Sequence, residues 1–181
     1  MQGRLASLAK FHQDLYSTSS LSRLRADQLI EGLARQMLTM GGDPMRPIDL
    51  RFDMGKVTLT PDQASPLAML ATEALTNAMK YARGSDGKGA IVRVALNAGK
   101  LPDDASDLVV LTIENSVTDG GLEDAQTGLG SQLIKAFASQ LQARIDQWQD
   151  AGIFHLSVSF ERASFDPLED GTAPDAGALT H

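Results

Sequence analysis

The chain contains no cysteine among its 181 residues. No disulfide framework and no thiolate metal site can be built from it, which fits a reducing compartment. Basic residues are outnumbered, 16 Lys and Arg against 23 Asp and Glu, for a formal net charge of −7. That argues against nucleic acid or an anionic membrane as the main partner, while leaving room for a local basic pocket. There is no run of about 18 apolar residues, so no transmembrane helix is expected. The opening MQGRLASLAKFHQDLY is too polar for a signal peptide, and there are no internal repeats. What is present is a hydrophobic content of 43%, enough for a real core. Length bounds the answer to one domain of about 100–150 residues plus extensions. A cytoplasmic domain is expected.

Residues 3–16 read as a helix, with Leu5, Leu8, Phe11, His12 and Leu15 on one stripe. The turn Ser17-Thr18-Ser19-Ser20 precedes a second helix over 21–40, carrying Leu21, Leu24, Leu29, Leu33 and Met37 and stopping at Gly41-Gly42. The two make a helical hairpin over 1–42 with apolar surface to spare, to be covered by the following domain, an upstream helix or a second copy. After a linker from Pro44 to Pro47, Ile48–Phe52 alternates as a strand, Met54-Gly55-Lys56 turns, and Val57–Leu59 forms a short strand. Strands follow at Ile91–Leu96 and Leu108–Ile113, separated by a polar connection over 97–107. The second, the most apolar, belongs at the sheet centre. A helix over 129–142 and two strands, Arg144–Gln149 and Ile153–Phe160, complete a domain over 46–162. Residues 163–181 have no core-forming pattern and read as a disordered tail.

The stretch Thr60–Ala82 reads as an amphipathic helix with unusual chemistry. Thr60 is a natural N-cap, Pro61 suits the first position, Gln63 completes a capping box, and Pro66 falls in the first turns. Leu67, Leu70, Ala71, Ala74, Leu75, Ala78 and Met79 supply an apolar face. Glu73, Asn77 and Lys80 fall at i, i+4 and i+7, so a carboxylate, a carboxamide and an ammonium stack together. Taken alone, Glu73 and Lys80 are a pair on a wet face and Asn77 a surface amide. Farther on, Gly128-Leu129-Gly130 precedes a helix, a weak signal for anion binding through backbone N–H groups.

The order of these features resembles the ATP-binding domain of the histidine kinase, gyrase, Hsp90 and MutL superfamily. TEALTNAMKYA is similar to the N box of sensor histidine kinases, TGLGSQLI to their second glycine box, and the segment from GRLASLAKFHQDLY to LSRLRADQLIEGLARQM to the region preceding the ATP domain in the HWE-like subgroup. The resemblance spans about residues 3–161. It implies a Bergerat-type two-layer α/β sandwich, a mixed sheet with helices on one face, preceded by the helical hairpin.

The resemblance further implies ATP and Mg²⁺ as ligands. Asn77 would ligate Mg²⁺ through its side-chain oxygen, and Glu73 would act on the attacking nucleophile as the catalytic carboxylate. Lys80 would offer a positive charge to the phosphates, Tyr81 would bind ATP at a position where the family often has His or Tyr, and Gly121, Thr127, Gly128, Leu129 and Gly130 would supply the lid and phosphate loop. Asn115 stands where the family has the Asp that accepts from the adenine amino group; its oxygen can accept that bond without the charge. Of the three histidines, His155 alternates with apolar residues as a structural strand residue, His181 ends the tail, and His12 lies on a packing stripe. The acceptor is thus expected on a phosphoacceptor helix or domain outside this chain. The implied activity is ATP-dependent phosphoryl transfer to histidine in a two-component system, with a response regulator downstream and a homodimer as one arrangement. The alternatives are a degenerate, non-catalytic phosphotransfer or regulator-binding protein, and an anti-sigma-type serine kinase.

Overall fold

The computed structural model describes residues 23–41, 45–84, 89–100, 107–118 and 129–164. In chain order these form β1 (Leu24–Arg25), α1 (Ala26–Gly41), β2 (Ile48–Met54), β3 (Thr58–Leu59), α2 (Pro61–Tyr81), β4 (Ala90–Lys100), β5 (Asp107–Ser116), α3 (Leu129–Gln140), β6 (Arg144–Asp150) and β7 (Ile153–Glu161). Five strands make one sheet in the order β2-β4-β5-β7-β6. β2 runs parallel to β4 and every other pair is antiparallel, so the sheet is mixed. The helices cover one face, giving the two-layer sandwich expected from the sequence. β5 is the middle strand, as its apolar composition requires. The expected helix over 3–16, the turn at 17–20 and the tail beyond 164 lie outside the described residues.

Alternation along the strands creates the core. Val92, Val94 and Leu96 of β4, Val109, Leu111 and Ile113 of β5, and Leu156, Val158 and Phe160 of β7 are all buried. They meet the buried stripe of α2, with Leu67, Leu70, Ala71 and Leu75 fully enclosed. Burial of each large side chain of this kind stabilises by about 1.5–3 kcal/mol. Ala26, Ile30 and Ala34 of α1 belong to the same cluster, so this helix packs on the following domain.

The N-terminal helix starts later than periodicity suggests, at Ala26 rather than residue 21, because Leu24 and Arg25 pair as a strand with Leu59 and Thr58. Asp27 holds this corner. Its carboxylate accepts from Arg25 Nε at 2.8 Å and from the Val57 N–H at 3.3 Å. The Arg25 guanidinium, opposed by burial, draws its pKa below the ordinary carboxylate value.

Four further details differ from expectation. Thr60 occupies the N-cap of α2 in extended conformation, but its side chain makes no capping bond. Gln63 does not reach back to it; its Nε2 donates to the Glu161 carbonyl at 2.8 Å and its Oε1 accepts from the Ala163 N–H at 2.9 Å. That long-range bridge outcompetes the local capping box. Pro66 is the sixth residue of α2, inside the helix, and its ring nitrogen cannot donate to the Asp62 carbonyl. β4 continues to Lys100, where a polar connection is expected from residue 97, because Asn97 to Lys100 complete the antiparallel ladder with Val110 to Asp107.

The helix-free face of the sheet carries a cross-strand polar row. His155 Nδ1 lies 2.9 Å from Glu114 Oε1, and Arg93 Nη1 is 3.4 Å from Glu114 Oε2. Trp148 stacks on His155 with centroids 4.7 Å apart. His155 is thus engaged in sheet pairing. Among the described residues no helix is long and apolar enough to cross a membrane.

Candidate functional site

Two backbone hydrogen bonds converge at the carboxyl end of β5, and a side-chain bond braces the adjoining exit of α2. The Arg83 N–H donates to Ser116 O at 2.8 Å, fastening the exit of α2 to this strand end. Arg46 Nη2 donates to Ala82 O at 3.1 Å. The Val117 N–H donates to Gly152 O at 2.8 Å, tying in the β6–β7 turn, where Ala151 and Gly152 both have positive φ, 47° and 74°. Two consecutive residues of this kind suit the twist of a tight hairpin.

Between α2, the start of α3 and this sheet end lies a cleft. Its walls are Ala74, Asn77, Ala78 and Tyr81 of α2 and Ser131 and Ile134 of α3; its floor is Ile113, Asn115, Gln147, Gln149, Phe154 and Leu156, with Val117 at the rim. None of these is Asp, Glu, Lys or Arg. The lining is apolar with four carboxamides, the composition that suits a flat heterocycle held by a few oriented polar groups.

Asn115 is the anomaly of β5. Val109, Leu111 and Ile113 precede it on the same face, and like them it is buried, at 3% exposure. Its Nδ2 donates to Ser116 O at 3.3 Å. Its side-chain oxygen has no partner among the described residues. A buried acceptor left so costs about 1–3 kcal/mol, and here it lines a cleft.

Glu73 and Asn77 stand beside the amino end of α3. A Cβ placed on Gly130 would be 3.4 Å from Glu73 Oε2, 3.4 Å from Asn77 Nδ2 and 3.5 Å from Asn77 Oδ1. The fold therefore brings the polar stripe of α2 against the second glycine of the Gly-x-Gly turn, 53 positions away in sequence. The first N–H groups of α3 lack intrahelical acceptors and carry the positive end of the helix dipole, so this corner favours anions. Among the described residues no group of three His, Cys, Asp or Glu is placed to cage a metal by itself. Glu73 and Asn77 offer oxygen donors of the type Mg²⁺ accepts, a cation that keeps waters and substrate oxygens for its other positions.

The remaining expected site residues divide. Tyr81 lines the cleft. Lys80 does not. Its Nζ donates to Tyr81 Oη at 3.1 Å, 4.8 Å from the ring centroid, and it borders a separate depression with Met37, Thr76 and Met79. Leu129 is the first residue of α3. Gly121, Thr127 and Gly128 lie outside the described residues. Sequence reasoning missed Ser131, Gln147, Gln149 and Phe154. In RIDQWQD the single apolar cues Ile145 and Trp148 point to opposite faces, so no signal in the strand assigns its two glutamines.

No protein-family model matches the chain, and no curated protein sequence is significantly similar to it. Solved structures are. The histidine kinase domain of the Erythrobacter litoralis EL346 blue-light activated histidine kinase superposes with a TM-score of 0.61 at 16% identity, over 76% of this chain. The chain spans 61% of that domain's length. The catalytic domain of histidine kinase ThkA gives 0.56 at 11% identity, over 78% of this chain and 96% of its own length. The cytoplasmic segment of histidine kinase QseC gives 0.55 at 16% identity, over 86% and 95%. The five-stranded mixed sheet, with its helices on one face and a cleft between α2 and α3, is therefore the fold of histidine kinase catalytic domains.

Proposed function

We propose that this chain binds ATP with Mg²⁺ and serves as the catalytic part of a two-component sensor histidine kinase, transferring the γ-phosphoryl group to a histidine on a phosphoacceptor helix or domain. The observation that carries this reading is the apposition of Gly130 to Glu73 and Asn77, at 3.4–3.5 Å from a would-be Cβ, beside a neutral cleft with a buried, unpaired acceptor on Asn115. The cleft suits a purine, Asn115 Oδ1 suits its exocyclic amino group, and the start of α3 suits its phosphates.

In this reading Asn77 and Glu73 hold the phosphate end, with Asn77 offering an oxygen to Mg²⁺, which when bound neutralises phosphate charge. The attacking imidazole nitrogen forms its bond to the γ-phosphorus as the bond to the β,γ-bridging oxygen breaks, and ADP leaves with that electron pair. Glu73 accepts the imidazole proton. Most of the acceleration comes from positioning and charge stabilisation. A response regulator then receives the phosphoryl group, on the cytoplasmic side of the cell, with a homodimer as a fitting assembly. In this reading residues 1–42 are a helical hairpin left from a dimerisation or linker region, packed through α1 on a kinase domain over 46–162.

Isothermal titration with ATP, with and without Mg²⁺, on the wild type and Asn77→Ala tests the reading. Saturable, Mg²⁺-dependent binding that weakens at least about tenfold in the variant is expected, as for the loss of a bond to a charged group. Absence of saturable binding by the wild type refutes it. Labelled phosphate should then pass to an added histidine-bearing helix domain; transfer to serine instead would indicate a serine kinase. The position of Lys80, which donates to Tyr81 but does not itself line the cleft, favours a second reading, a non-catalytic scaffold on the same fold. That reading predicts nucleotide binding without transfer.

A further inference from the structure

The floor of the cleft is a small grid laid down by strand register. Asn115 of β5 pairs with Phe154 of β7, which pairs with Gln149 of β6. One row along, Ile113, Leu156 and Gln147 follow the same order. All six line the cleft. Two strand spacings separate Asn115 from Gln149, about 10 Å at the backbone. An aromatic ring thus lies between two carboxamides that line the same cleft.

The two carboxamides differ in freedom. Asn115 is oriented by its Nδ2 bond to Ser116 O, 3.3 Å, so its oxygen is the atom left for a ligand. Gln149 is half-buried, and its side chain makes no hydrogen bond to another described residue. Its amide offers a donor and an acceptor above an apolar floor. A group in that position gains most from a partner brought by a ligand, since an amide shielded from water without a partner is costly.

Building on the nucleotide reading above, we infer that Gln149 is a second base-reading residue. Its Nε2 donates to an acceptor nitrogen in the six-membered ring of a purine whose exocyclic amino group is held by Asn115.

The test is nucleotide affinity of the full chain, measured by titration with ATP, 1-deaza-ATP and 3-deaza-ATP. Gln149→Met keeps the side-chain length and removes the amide; Gln149→Ala is the second variant, and thermal melts check that each is folded. Both variants should bind ATP roughly five- to tenfold more weakly than wild type, the loss of one neutral hydrogen bond. That loss should vanish for whichever deaza analogue lacks the contacted nitrogen. An equal loss for ATP and both analogues would mark a packing effect and overturn the inference, as would no loss at all. Either result leaves ATP binding by the wild type standing, whereas a wild type that binds no ATP removes the nucleotide reading and this one together.

Discussion

Gly130→Ala separates the stability of this fold from the function proposed for it. Among the described glycines only Gly152 has positive φ, so no backbone strain demands glycine at 130. The added methyl would sit 3.4 Å from Glu73 Oε2 and Asn77 Nδ2 and 3.5 Å from Asn77 Oδ1, ordinary contact distances that need no rearrangement. Gly130 is the second residue of α3, and alanine is the better helix former by up to about 1 kcal/mol. The variant should therefore be as stable as wild type or more so, with Tm raised by no more than about 4 °C for a chain of this size. Function should move the other way. The methyl fills the gap between the start of α3 and the Glu73–Asn77 pair, where the phosphates are proposed to lie. One displaced charge-assisted hydrogen bond is worth about 1.5–3 kcal/mol, so ATP affinity should fall at least about tenfold. Circular-dichroism melts and isothermal titration on the same samples read both quantities. A variant that binds ATP as tightly as wild type would refute the assignment of this gap to phosphate. One that loses more than about 2 kcal/mol of stability would refute the contact geometry.

Gly89 supplies the contrast. A Cβ there would press to 3.0 Å on the Pro47 carbonyl oxygen, which also accepts from the Ala90 N–H. Gly89→Ala should therefore cost about 1–3 kcal/mol in chemical denaturation, as overpacking against backbone does. Glu73→Gln should cut phosphoryl transfer by about 10²–10⁴, the usual worth of a general base, while ATP affinity changes only a few-fold; a full-rate variant would remove Glu73 from that role. Asp27→Ala should destabilise by about 1–3 kcal/mol by orphaning the Val57 N–H and the Arg25 guanidinium. Because the folded state lowers the pKa of Asp27 below its ordinary 3.8, its contribution is fully present above that pH and is lost as pH falls below it. Acid titration of the unfolding free energy should accordingly fall less steeply below 3.8 in Asp27→Ala than in wild type.

How much of this was legible before folding depends on whether the signal is local. α2 is the clearest case. Its apolar stripe runs through Leu67, Leu70, Leu75 and Ala78, and all are buried. The same periodicity places Glu73 and Asn77 together because helical side chains three and four apart share a face. β5 was legible as the central strand from composition alone. What could not be read is whatever depends on pairing between distant segments. Nothing local says that Ile48–Met54 runs parallel to β4, that Leu24 and Arg25 break off the helix to pair with β3, or that Gln63 reaches across to Glu161 and Ala163 rather than back to Thr60.

The cleft shows why a site is harder to read than a fold. Its α2 wall is one helical face and is visible as a motif. Its floor takes one residue from each of three strands in every row, so no window of sequence contains it. Asn115 was singled out from sequence for its departure from an expected Asp, yet the stronger reason to notice it is structural. It follows Val109, Leu111 and Ile113 on the helix-facing side of β5, and it is nearly as buried as they are. A carboxylate at that place would need its charge compensated, and no Lys or Arg lines the cleft among the described residues. A carboxamide needs only a partner. The neutrality of the cleft and the identity of Asn115 are thus one fact seen twice: with no cation at hand, an uncharged acceptor is the side chain this floor can carry without paired charge. It follows that the proposed base recognition should be insensitive to pH through the range in which a buried carboxylate would titrate.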